Sequence, residues 1–226
     1  MDLQLTERVV LVVGGTGLIG RSVVQRLGAE GATVVSASRS GTGGLAMDIR
    51  DAASVAAGVS TVLAEHGRLD GLVVAAAPSA QTLDPARNSD PAQVLEAIDA
   101  KALGFLRVAN AALEVMSTAG FGRVVGVSGQ NALMTGNVTG SVRNAALIIA
   151  AKNLADSVAG SGITVNTVSP GLVSEEPSAA VGMGEAGQAR PSDIADLVAY
   201  LVSPLAAAIS GESIAVGHRA RGFTSM

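Results

Sequence analysis

Three glycines near the amino terminus have the spacing of a phosphate-binding turn. Gly14, Gly17 and Gly20 stand three residues apart, directly after Val9-Val10-Leu11-Val12-Val13 and directly before a helical pattern from Arg21 to Leu27. Glycine opens backbone angles closed to other residues. It also lets the main chain approach a pyrophosphate on a helix amino terminus, where free N–H groups and the positive dipole end attract an anion. Strand, glycine turn and helix in that order predict a dinucleotide site whose turn comprises Gly14, Thr16, Gly17, Leu18, Ile19 and Gly20. A second apolar strand, residues 32–37, ends at Ser38-Arg39. An acidic residue there would bind the ribose 2′-hydroxyl of NAD, whereas an arginine suits the 2′-phosphate of NADP, so NADP(H) is favoured over NAD(H). Further on, Asp48, followed by Ile49, either accepts from an adenine amino group or starts the helix from Asp51 to His66, and both readings stand. Ala75-Ala76-Ala77-Pro78 gives a small-residue exit beneath the cofactor.

Composition removes several other chemistries. There is no cysteine, hence no disulfide, thiolate nucleophile or thiolate metal site. His66 ends a helix beside Gly67, and His218 lies in the tail with Arg219 and Arg221. No carboxylate accompanies either at ligand spacing, so no metal is expected. Ser128 has no evident base, which argues against a hydrolase triad. A net charge of −4 without a basic cluster argues against nucleic acid. The start lacks the regions of a signal peptide, and no uncharged apolar run approaches the ~18 residues of a membrane span. A cytoplasmic protein acting on a small molecule, with no membrane partner, is the expectation. With three Phe, one Tyr and no Trp, any pocket must be lined by Ala, Val, Leu and Met.

The elements that would position these residues alternate strand and helix throughout. At 226 residues, 48% of them hydrophobic and 15% charged, a single α/β domain spanning 1–226 with a doubly wound, mostly parallel sheet is predicted. Leu45-Ala46-Met47 reads as a short third strand. Only the loop Ser40-Gly41-Thr42-Gly43-Gly44 separates it from the second, less than a parallel crossover usually needs, so that corner should be irregular. Strands follow at 69–75, 123–128, 163–168 and 213–216, with helices at 91–118, 141–159 and 191–203. The 141–159 helix is apolar over most of its circumference, which suggests a subunit interface. The polar, glycine-rich stretch 174–189 reads as a lid, with Glu175 and Glu176 on its solvated edge.

Taken together, the motifs resemble the short-chain dehydrogenase/reductase family over nearly the full length. They are the glycine turn, Asp48, Asp70-Gly71-Leu72-Val73, Gly122-Arg123-Val124-Val125-Gly126-Val127-Ser128, and Gly162-Ile163-Thr164-Val165-Asn166-Thr167-Val168-Ser169-Pro170-Gly171. The tail from Ile194 to Ser213 also fits. The resemblance implies a seven-stranded Rossmann-type sheet with NAD(P)(H) at the carboxyl ends of its strands, and Pro170, Gly171 and Val173 as further cofactor contacts. It also implies a homodimer or homotetramer assembled through the 91–118 and 141–159 helices. In the family a serine, a tyrosine and a lysine four residues later perform the chemistry, supported by an asparagine on the preceding long helix. Ser128 matches the serine. The tyrosine position falls on Gly140, the lysine position on Asn144, and the asparagine position on Lys101. The amine and the amide have traded places, so Lys101 and Asn144 are expected to face each other and hold the nicotinamide ribose. The single tyrosine, Tyr200, lies on the final helix, where packing is its expected role.

Two functions follow. One is an NADP(H)-dependent oxidoreductase acting on a small carbonyl, enone or imine. In it Ser128 polarises the substrate, and water, Lys101 or the substrate itself supplies the proton, since hydride transfer builds charge that a positioned acid must meet. The other is a catalytically inactive dinucleotide-binding sensor or partner subunit.

Overall fold

The computed structural model describes residues 1–77 and 82–224, so the predicted exit residue Pro78 lies outside the described residues. Five buried residues, Val9–Val13, form β1 at the centre of the sheet. A strand covered on both faces reads as an unbroken apolar run, and this one is. The other members are β2 (Thr33–Ser38), β3 (Leu45–Ala46), β4 (Gly71–Val74), β5 (Gly122–Val127), β6 (Ile163–Pro170) and β9 (Ser213–Val216). Their order is β3-β2-β1-β4-β5-β6-β9, and every pairing is parallel. The corner expected to be irregular is a regular parallel pair, Ala37 against Leu45 and Ser38 against Ala46. Tight turns closed by Gly41 N–H on Ser38 O and Gly44 N–H on Gly41 O return the chain, and a strand of two residues needs no helix to cross over.

Helices α1 (Leu18–Ala29) and α6 (Pro191–Val202) cover one face of the sheet. On the other lie α2 (Ala52–His66), α4 (Gly104–Ala119) and α5 (Val138–Ser157). Each face is an apolar layer, and Phe105 and Leu147 meet over Gly126 of β5. The helix predicted from Pro91 runs as α3 (Pro91–Ile98), a π-turn over Asp99–Leu103, and then α4. Helix α5 begins three residues earlier than predicted, because the Asn137 side chain accepts from Gly140 N–H as an N-cap. The predicted lid is pinned at both ends. Leu172–Val173 (β7) pairs with Gln188–Ala189 (β8), and Gly184 and Glu185 exchange main-chain bonds with Arg221. No helix among the described residues is long and apolar enough to cross a membrane.

Candidate functional site

A cleft of about 310 Å³ opens at the carboxyl ends of β1, β2 and β4. Its walls are Gly14, Thr16 and Gly17 from the glycine turn, Ser38 and Arg39 after β2, Asp48 and Ile49 before α2, Ala75–Ala77 after β4, and Ala100 from the π-turn. Most residues predicted to bind a dinucleotide therefore share one cavity. Leu18, Ile19 and Gly20 form the first turn of α1 rather than the wall. Pro170 ends β6, with Gly171 and Val173 beyond it, and none of the three lines this cleft. The turn admits little but glycine. Gly14 has φ +87°, and a Cβ there would sit 2.6 Å from Ala76 N. At Gly20 a Cβ would lie 2.0 Å from Gly14 O. Gly17, which lines the cleft, is the N-cap of α1 and leaves the first N–H groups of the helix without a side-chain cap.

The β2 end of the cleft is polar and under-committed. Arg39 is exposed and forms no ion pair among the described residues, while the buried Ser38 Oγ has no hydrogen-bond partner. Asp48 does not start the helix as one of its two readings had it. Its Oδ1 accepts from Arg50 N–H in the turn before α2, whose N-cap is Asp51, and the residue still lines the cavity.

A second polar cluster surrounds Ser128, just past the end of β5. Lys101, only 6% exposed, donates from Nζ to Ser128 O at 3.1 Å. The Ser128 hydroxyl donates to Asn144 O, also at 3.1 Å. The amide of Asn144 donates to Asn131 Oδ1 and Gly140 O, and its own Oδ1 is buried without a partner. Lys101 and Asn144 thus reach Ser128 from different helices, and each bonds to it rather than to the other. Burial pushes the Lys101 ammonium down to about 7, with repulsion from the nearby Arg143 guanidinium adding to it. Gly140 stands one turn before Asn144. A Cβ on it would lie 2.7 Å from Asn131 Nδ2, so the Asn131 amide fills the space a side chain would use. Tyr200 is half-buried on α6, packed into the opposite apolar layer.

Residues 16–218 match the family model described as Enoyl-(Acyl carrier protein) reductase. The chain belongs to the short-chain dehydrogenase/reductase family. Among curated relatives of this short-chain dehydrogenase/reductase is a 3-oxoacyl-[acyl-carrier-protein] reductase of Vibrio harveyi, 29% identical, with 95% of this chain and 97% of the relative covered. Another is the cis-4-hydroxycyclohexanecarboxylate dehydrogenase of Sinomonas cyclohexanicum, 32% identical over 96% of this chain and 97% of the relative. A crystal structure of an actinorhodin polyketide ketoreductase variant with NADPH superposes with a TM-score of 0.82 at 25% identity, covering 97% of this chain and 100% of the other.

One structural residue of this oxidoreductase escaped the sequence reading. Gln130 is buried; its amide donates to Val216 O and His218 O, and its Oε1 accepts from Ala220 N–H. It therefore fastens the carboxyl-terminal tail beside the Ser128 cluster. A glutamine three residues past a strand carries no pattern that would have announced this.

Proposed function

We propose that this chain is an NADP(H)-dependent reductase of a small carbonyl, enone or imine, working without a tyrosine acid. The observation that carries the reading is the pairing, in one cleft, of the glycine cradle with the unpaired Arg39 guanidinium and the orphaned Ser38 hydroxyl. The cradle fits a pyrophosphate, because a Cβ at Gly14 or Gly20 would strike backbone. A guanidinium with a hydroxyl beside it fits a 2′-phosphate. NADPH bound there would supply the hydride. The relatives named as 3-oxoacyl reductases, and the neighbour crystallised with NADPH, support a carbonyl substrate and this cofactor.

Within this reading Ser128, Lys101 and Asn144 form the polar centre at which the substrate oxygen is held, and Gly140 occupies the family's tyrosine position. Oligomerisation through the two long helices is part of the reading. Leu95, Leu103, Val138, Val142 and Ile149 are exposed on these segments in the single chain. The test is NADPH oxidation against a panel of β-ketoesters, cyclic ketones, enones and imines, beside fluorescence titration with NADPH. Oxidation with at least one class is expected; binding without oxidation of any would favour the non-catalytic reading.

A further inference from the structure

We infer that Lys101 is the group that hands a proton to the reduced substrate, an inference that rests on the reductase reading above. The lysine is set by the π-turn, a single-turn irregularity that tends to occur where a helix serves a site. That turn borders both halves of the machinery: Ala100 lines the dinucleotide cleft, and the next residue, Lys101, lies against Ser128. Ser128 O is the one hydrogen-bond partner of Nζ among the described residues, which leaves two of its N–H groups for a ligand. The buried, unpartnered Asn144 Oδ1 belongs to the same cluster and offers an acceptor for a substrate proton or a water.

A structural role accounts poorly for this lysine. Structural cations in dry surroundings are paired with carboxylates, because an uncompensated buried charge costs several kcal/mol. No carboxylate pairs with Lys101 among the described residues. On its own helix, Glu96 is held by Arg50, and Asp99 by Arg50 and Arg107. From α5 the charged group bearing on it is Arg143, which repels it; from β5 and the segment after it come only Ser128 and its neighbours. An ammonium placed this way gives up a proton near neutral pH, where a general acid works best.

In the step itself the substrate carbon gains the hydride while NADPH is oxidised to NADP+. The carbonyl π pair moves onto oxygen, one Lys101 N–H bond breaks as the O–H bond forms, and the neutral amine is reprotonated from water.

The chain has two lysines, Lys101 and Lys152, so protein labelled with [ε-13C]lysine shows two signals that can be followed against pH without any substrate. One signal should titrate within about a unit of 7 and vanish in Lys101→Met. With whichever substrate class is reduced, the wild-type rate should fall as pH rises above 7. Lys101→Arg, which keeps the charge but holds its protons too tightly to give one up near neutral pH, should lose about 100-fold in rate and lose that pH break, with NADPH affinity little changed. The lack of any signal that titrates near 7, or a pH break that survives in Lys101→Met, would overturn the assignment while leaving the reductase reading intact. NADPH binding without oxidation of any substrate would overturn both.

Discussion

The two polar regions of this molecule are built from opposite materials. The cleft is floored by the glycine turn and by alanines, with Ser38, Arg39, Asp48 and Arg50 as its polar lining. The Ser128 cluster is made of polar side chains, a lysine, two asparagines and a serine, which donate to one another's main-chain carbonyls and, between the asparagines, side chain to side chain. A backbone site tolerates nothing larger than hydrogen at its key positions, whereas a side-chain site can be rewired if its donors and acceptors still meet.

That contrast can be broken by substitution. Gly20→Ala should have the largest effect, because its Cβ would lie 2.0 Å from a backbone oxygen that cannot yield without unmaking the turn. We expect a loss of about 3 kcal/mol or more by denaturant unfolding, together with loss of NADPH binding.

Lys101→Met should sharpen the comparison through pH. The ordinary lysine value is 10.5 and the folded one about 7, so the unfolded chain holds this proton more tightly. Stability conferred at this position therefore falls as pH drops from 10.5 to 7 and changes no further below. The variant should gain on the wild type over that window, by roughly 1–3 kcal/mol at pH 6 after allowing for the lost bond to Ser128 O. Thermal melts at pH 6 and 9 measure it.

Gly140→Ala is the smallest change. Its Cβ meets the end of the Asn131 side chain, which can turn aside, and alanine favours the helix. A stability change within about 1 kcal/mol is expected, against the severe loss at Gly20.

Much of the fold was legible because its signals are local. The run Val9–Val13 is a buried central strand and reads as one, and Asp90 before Pro91 starts a helix where that pair should. The glycine spacing likewise led to a real cleft. What escaped the sequence was set by tertiary contacts. Asp99-Ala100-Lys101-Ala102-Leu103 has ordinary helical composition, so nothing in it announces a π-turn. Lys101 was expected opposite Asn144, but its burial and its bond to Ser128 O depend on how α5 and the end of β5 pack. The start of α5 is set by the Asn137 side chain, three residues before the predicted start. The parallel β2–β3 pair defied a rule about crossover length that two-residue strands do not have to obey.

The most direct test of the account is the affinity of the wild-type protein and of Arg39→Ala for NADPH and NADH, read by fluorescence titration. The account predicts saturable binding with NADPH preferred, and an Arg39→Ala protein whose NADPH affinity falls about 10- to 100-fold while NADH binding is nearly unchanged. Equal affinity of the wild type for both nucleotides, or no binding of either, would contradict it.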